Sequence, residues 1–275
     1  MPQYSSTIGN WNKTTFDTSL KYVLSDNTNV YARIAEGYHG GVVTGQAMFS
    51  PLEQAKPETV LSYEAGIKTE TSDHRLSSNI SVFRYDYKDM QLVAYSNLAN
   101  GQEINALINA KGGTGTGFEE ETTYRALKDL TLTANFGYTD TRISGPTYIA
   151  DPRNSANELD ITGQPFPFAP KWSGTFLADY HHTLSNGSVF FATTDWSYRS
   201  KENFQLSSFV QPEFVGQAYW EGGLRTGFRF NDTELAFWVR NITDVTYLTS
   251  AVNVSGFAGV FNNPRTFGIE LSHRF

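Results

Sequence analysis

Apolar and polar residues alternate along the end of the chain. Phe267, Ile269, Leu271 and Phe275 occupy alternate positions, and most residues between them are polar. Because strand side chains point to opposite sides with a period of two, this segment is predicted to be a strand with one apolar and one polar face. An open strand edge leaves unpaired amides, and closure of the sheet into a barrel removes such edges.

The same alternation recurs in ten further segments, each bounded by turn residues. In the first of them, Leu20 and Tyr22 fall on one face and Lys21 falls on the other. The predicted strands are residues 14–24, 29–38, 58–69, 76–88, 116–126, 130–143, 170–182, 188–199, 218–230, 234–240 and the final strand from 263.

The connections between these strands alternate strictly between short and long. Five tight turns alternate with five long passages, at residues 39–57, 90–114, 144–169, 200–216 and 241–262. In an antiparallel up-and-down meander, odd and even connections lie at opposite ends of the sheet. One end of this sheet is therefore predicted to carry only short turns and the other only long loops. Outer-membrane β-barrels have this form, with about ten residues per spanning strand.

The predicted fold is therefore all-β, an antiparallel up-and-down transmembrane β-barrel with about eleven strands present. Its apolar face contacts lipid, and Tyr22, Tyr138, Trp172, Tyr180, Trp196 and Trp220 are candidates for the aromatic belts at the two membrane interfaces. The alternative is a soluble two-sheet sandwich, which predicts mixed loop lengths at both ends and an apolar face packed in a dry centre.

Composition and charge exclude several further classes of protein and of binding site. The net charge of −7 argues against a nucleic-acid partner, and no apolar run approaches the length of a membrane helix. The absence of cysteine excludes disulfides and thiolate metal sites. The start of the chain has no basic or apolar leader, so an exported protein would have lost its leader before residue 1.

Catalytic and cofactor signals are weak. The glycine run 112–117 lacks the lysine and the following helix of a phosphate loop, and it is interpreted as a flexible loop that enters a strand. His181 and His182 flank a turn without a third ligand at suitable spacing. Glu119 and Glu121 are predicted to face the polar interior. We expect no enzyme activity, no resident cofactor and no metal site.

Several segments resemble the carboxy-terminal part of TonB-dependent outer-membrane receptors. They include Val30-Tyr-Ala-Arg-Ile-Ala-Glu-Gly-Tyr38, Ala169-Pro-Lys-Trp172 and Trp238-Val-Arg-Asn-Ile-Thr-Asp-Val-Thr-Tyr247, together with the terminal strand. Further similar segments lie at 56–68, 82–91 and 115–119, so the resemblance runs in order from about residue 13 to the end.

The resemblance implies a location in the bacterial outer membrane and a barrel of twenty-two strands, plugged by an amino-terminal domain. Such receptors bind iron–siderophore complexes, vitamin B12 or sugars in their outward loops, and they release the cargo inward when TonB pulls on a segment near the amino terminus. The cargo expected for this chain is an iron–siderophore complex. The implied partners are outer-membrane lipid, TonB through a region absent from this chain, a siderophore-like cargo and the barrel-assembly machinery. Phe267, Ile269, Leu271 and Phe275 resemble the signal that this machinery reads.

Eleven strands are half of such a barrel. With an odd number of meander strands, the first and last run in the same direction, so direct closure would need a parallel seam. We therefore expect residues 1–275 to form the carboxy-terminal part of the barrel, with the plug and earlier strands missing. The alternative is a stand-alone passive porin or a structural outer-membrane barrel.

Cargo contacts are expected in the long loops, because binding residues concentrate on loops carried by a rigid scaffold. Phe166, Phe168 and Phe204 are candidates to stack on cargo, and Tyr38, His39 and Arg199 are polar candidates for an anionic chelate. The loop aromatics Phe49, Phe209, Phe257 and Phe261 belong to the same set, and any of these rings could instead pack loops against each other.

Overall fold

A computed structural model describes residues 9–43, 54–97, 103–253 and 256–274. The strands in chain order are β1 (Asp17–Ser25), β2 (Thr28–His39), β3 (Val42–Val43), β4 (Gln54–Ala55), β5 (Glu58–Glu70), β6 (Leu76–Asn97), β7 (Glu103–Leu127), β8 (Leu130–Ser144), β9 (Tyr148–Ala150), β10 (Glu158–Asp160), β11 (Trp172–Thr183), β12 (Val189–Arg199), β13 (Glu202–Asn203), β14 (Val215–Gly216), β15 (Tyr219–Phe230), β16 (Thr233–Arg240), β17 (Leu248–Asn253), β18 (Phe257–Phe261) and β19 (Thr266–His273).

One antiparallel sheet contains the long strands. In the described part of the chain it has eleven strands in the order β1-β2-β5-β6-β7-β8-β11-β12-β15-β16-β19, so each long strand pairs with the next one along the chain. This meander confirms the predicted all-β fold and all eleven predicted strands. The two-sheet sandwich is wrong, because the other strands form only two-stranded hairpins within the long connections.

The β6–β7 hairpin differs from the prediction. Residues 90–114 were expected to form a loop, but β6 continues to Asn97 and β7 begins at Glu103, with Met90 paired to Ala110. The glycine run 112–117 is consequently part of β7 and not a flexible loop. The hairpin extends because Met90, Leu92 and Ala94 bury their side chains against the neighbouring loops.

The sheet has an exposed apolar face. Leu20, Ile269 and Leu271 are 74%, 77% and 72% exposed, and Leu132 is half-buried. In the described part of the chain, these four side chains are therefore not packed together in the dry centre that a soluble sandwich would have. An apolar surface of this extent is unfavourable in water and matches the lipid-facing side of a barrel.

Aromatic side chains lie near both ends of this face. At the long-loop end, Trp172 lies 4.5 Å from Tyr138 between ring centroids, and Tyr198 lies 4.8 Å from Trp220. At the short-turn end, Tyr180 lies 6.2 Å from Phe190. Aromatic rings at both ends of an apolar face are typical of the two membrane interfaces of a barrel.

The opposite face, called the inner face below, is polar. Arg225 binds Glu234 at 2.6 Å and Glu270 at 3.3 Å, so one guanidinium joins three neighbouring strands. Glu119 and Glu121 lie on this face, as predicted, beside a hollow that Lys68 also lines.

The buried apolar residues lie mainly at the long-loop end. The larger cluster joins Met90 and Leu92 of β6 with Ile143 of β8 and with Ile149 and Ile161 of the following loop. A smaller cluster contains Phe204, Phe214 and Ala251. These clusters hold the loops in a defined arrangement above the sheet. No helix in the described residues is long and apolar enough to cross a membrane.

Candidate ligand-binding site

A cavity of about 500 Å³ lies at the long-loop end of the sheet. It is bounded by the extended β6–β7 hairpin and by the loops that follow β8, β12 and β16. Residues 90–95, 105, 149, 152, 166–168, 204–207, 252 and 253 line it. We call it the outer cavity. Its size suits a small-molecule ligand.

Three of the sequence-predicted residues meet at this cavity. Phe166, Phe168 and Phe204 all line it, although Phe166 and Phe168 follow β8 and Phe204 follows β12. The rings of Phe168 and Phe204 lie 5.4 Å apart, in the range of favourable aromatic contacts. The sequence-based choice of these three residues therefore identifies one site, and their role in binding stays a prediction.

Hydrogen bonds from the backbone N–H groups hold the segments that carry these three rings. The Phe166 N–H donates to the buried Thr141 hydroxyl at 3.0 Å, and the Phe204 N–H donates to the Phe214 carbonyl at 2.9 Å. Phe168 has a φ of +58° and donates its N–H to the Asn203 carbonyl at 2.8 Å. A bulky residue in this left-handed region is strained, and such strain is characteristic of functional positions.

The polar candidates do not join the cavity. Tyr38 and His39 lie at the end of β2, paired with Thr59 and Glu58, and neither lines the outer cavity. Arg199 lies at the end of β12, which is six strands away from β2 in the sheet. Its guanidinium is 3.4 Å from the Glu202 carboxylate. The three residues therefore do not form one anion-binding cluster with the phenylalanines.

The lining of the outer cavity is uncharged. Among the described residues that line it, none is Asp, Glu, Lys, Arg or His. Beside it, Arg153 binds Asp151 at 2.7 Å and holds the pKa of that carboxyl below its ordinary value by hydrogen bonding. Burial raises the pKa of Glu202 despite the nearby Arg199. The cavity thus offers aromatic rings and neutral amides to a ligand.

Sequence reasoning missed the β6 side of the cavity. Met90, Leu92 and Ala94 line it, although the sequence pattern predicts a loop over residues 90–114. Their alternate spacing is a strand signal, but Val93 and Tyr95 between them obscured the period of two.

The remaining predicted residues lie elsewhere. Phe267, Ile269 and Leu271 project from the apolar face of β19, and Phe209, Phe257 and Phe261 lie in the long connections outside the cavity lining. Phe49 and Phe275 lie outside the described residues. No group of three or more histidine, aspartate or glutamate residues that could hold a metal occurs in the described part.

Comparison with known families identifies the protein family of this chain. The family model described as "TonB dependent receptor-like, beta-barrel" matches residues 3–242. The chain belongs to the TonB-dependent receptor β-barrel family. The family predicted from the sequence motifs is therefore confirmed.

Relatives of this TonB-dependent receptor chain are much longer. The ferric-pyoverdine M114 receptor PbuA of Pseudomonas sp. (strain M114) is 26% identical over 258 residues, which cover 92% of this chain and 28% of the relative. The chain thus spans less than a third of that receptor's length.

Solved structures of similar fold give the same picture. The ferric yersiniabactin uptake receptor FyuA of Yersinia pestis superposes with a TM-score of 0.74 at 20% identity, over 94% of this chain and 37% of that one. The siderophore receptor PiuA of Acinetobacter baumannii gives a TM-score of 0.71 at 15% identity, over 94% and 35%. At these identities the likeness establishes the fold.

Proposed function

We propose that this chain is the carboxy-terminal part of a bacterial outer-membrane receptor that takes up a ferric chelate of the siderophore type by energised transport. The family membership supports the receptor class, and the named cargo of PbuA and FyuA supports the chelate. The protein acts as a transporter without enzymatic chemistry.

The observation that carries the cargo class is the outer cavity. Its rings and neutral amides suit the organic shell of a chelate, which presents apolar and hydrogen-bonding surface. It lies at the long-loop end, which in this class of barrel faces outward. Cargo therefore meets Phe166, Phe168 and Phe204 before it meets the polar inner face.

The remaining partners follow from the barrel. In the described residues β1 pairs only with β2, and β19 pairs only with β16, so each end of the sheet has an open edge. Strands from outside this chain fill those edges, and TonB acts on a segment outside it. Phe267, Ile269, Leu271 and Phe275 serve the barrel-assembly machinery, and lipid surrounds the apolar face.

Binding to the full receptor tests this proposal. Phe168→Ala should weaken binding of the ferric chelate about tenfold, because it removes a half-exposed ring from the cavity. Phe209→Ala is the matched control, since its ring is similarly exposed but does not line the cavity. Tryptophan fluorescence quenching measures both affinities.

Growth and uptake complete the test. Deletion of the gene should slow growth under iron limitation with the chelate as iron source, and uptake should require TonB. Uptake that persists in a strain without TonB would instead support a passive porin. Equal binding by the Phe168 and Phe209 variants would contradict the assignment of the cavity.

A further inference from the structure

Aromatic side chains form a continuous stripe on the inner face. Phe83, Tyr85 and Tyr87 alternate along β6, and ring centroids are separated by 5.9 Å between the first pair and 5.6 Å between the second. Phe166 continues the stripe, with its ring 6.0 Å from that of Tyr87. We call these four residues the aromatic ladder.

Glycines of the neighbouring strand β7 lie beneath the rings of the ladder. Gly117, Gly115 and Gly113 of β7 pair directly with Phe83, Tyr85 and Tyr87. A Cβ atom at Gly115 would lie 2.1 Å from the Tyr85 ring, so only glycine lets that ring lie flat across the strand. The glycines that resembled a phosphate loop in the sequence thus make room for aromatic rings.

The ladder is the part of this largely polar face where four rings follow one another, whereas Tyr31 lies on the same face outside that series. Phe83 is paired with Glu64 and Tyr85 with Ser62, and ion pairs occupy the same face elsewhere. All three β6 rings stay partly exposed. At the long-loop end the ladder finishes with Phe166, which lines the outer cavity. The ladder therefore connects the cavity with the inner wall of the barrel.

We propose that the aromatic ladder is a track along which the cargo moves from the outer cavity down the inner wall. The track takes a chelate whose shell carries planar or apolar groups, because such groups stack on exposed rings. Rings about 6 Å apart give successive weak contacts without a deep trap. The inference rests on the proposed function, since it requires a cargo that enters at the cavity.

Substitutions that keep apolar bulk but remove the ring test the track. The double variant Phe83→Leu with Tyr85→Leu is compared in the full receptor with Tyr31→Leu. Tyr31 is a suitable control because its ring also lies on the inner face over a glycine, Gly66, but is not part of the ladder. Surface amount, chelate affinity and energised uptake rate are measured for each variant.

The track predicts a split between binding and transport. The ladder variant should bind the chelate within about twofold of wild type and transport it about fivefold more slowly, a loss of roughly 1 kcal/mol of stacking. The control should match wild type in both. Normal uptake by the ladder variant would overturn the track. Equal loss of binding, surface amount and uptake would also overturn it, and would indicate that the rings are a packing surface for an interior domain. A wild-type receptor without chelate uptake would overturn the proposed function itself.

Discussion

At the residue scale, Asn241 is the best example of a side chain that organises a loop. Its side-chain amide donates to the carbonyls of Val245 at 2.9 Å and Asn263 at 3.1 Å, and its oxygen accepts the Val245 N–H at 3.0 Å. The residue is 3% exposed and has a φ of +49°, which asparagine tolerates better than most residues. It joins the end of β16 to the residues that precede β19.

Replacement of Asn241 should therefore destabilise this junction. Asn241→Ala removes these three partly buried hydrogen bonds and should lower the free energy of unfolding by about 1–3 kcal/mol. Asn154→Ala is the control, because Asn154 is exposed and its side-chain oxygen accepts one turn hydrogen bond at 3.2 Å. The heat-dependent gel shift of the folded receptor measures both, and equal midpoints would contradict this role.

Glu202 should make the same loop region sensitive to pH. Its pKa is raised in the folded state, chiefly by burial. The folded state then binds the proton more tightly than the unfolded state, so the stabilisation is complete below the ordinary pKa and is lost as pH rises through the folded pKa.

Hydrogen exchange measures this pH dependence. Amides of residues 202–216 should be better protected near pH 4 than near pH 8, after correction for intrinsic exchange, because Glu202 is protonated only in acid. Glu202→Gln should remove most of the difference. A variant that keeps the full wild-type pH dependence would exclude Glu202 as its source.

The candidate site was partly predictable residue by residue. Large aromatic rings in long loops must either pack or bind, so Phe166, Phe168 and Phe204 could be selected from the sequence. Tyr38, His39 and Arg199 could not be placed, because a position at a strand end does not reveal which loop folds over it. That arrangement depends on contacts between loops far apart in sequence.

At the element scale, the β6–β7 hairpin departs furthest from sequence-based expectation. Alternation identified its lower part, but its upper part is held by contacts with distant loops, and the glycines of β7 resembled a linker. Glycine weakens a strand by itself, but here each paired ring covers the gap that glycine leaves. Tertiary packing thus overrides the local preference.

The glycines of β7 should differ in their tolerance of alanine. A Cβ atom at Gly117 would lie 2.0 Å from the Tyr138 carbonyl oxygen, which cannot move without the backbone, whereas at Gly115 it would meet the outer part of the Tyr85 ring, which can rotate away. Gly117→Ala should cost about 1–3 kcal/mol and more than Gly115→Ala.

Chemical unfolding of the folded receptor measures these differences. Gly40→Ala is the control, because no atom lies within 4 Å of its added Cβ. A smaller loss for Gly117→Ala than for Gly115→Ala would contradict the close approach of β7 and β8.

At the scale of the whole molecule, the distribution of apolar residues is the reverse of that in a soluble domain. The apolar face of the sheet is exposed, the inner face carries ion pairs, and the buried clusters lie between loops. Strand number, order and direction were predictable, because period and connection length determine them in a meander. The fit of the loops over the sheet was not, because it has no short-range pattern.

The account depends most on which face of the sheet contacts lipid, and cysteine labelling tests this directly. Ser81 lies on the inner face, where it pairs with Glu119. The chain has no cysteine, so single changes such as Leu20→Cys, Ile269→Cys and Ser81→Cys give unique reporters once any cysteine elsewhere in the receptor is replaced. A fluorophore attached at positions 20 and 269 should be quenched by nitroxide lipids, and one at position 81 by a water-soluble quencher. Quenching of positions 20 and 269 only from water, with position 81 quenched by lipid, would contradict the account.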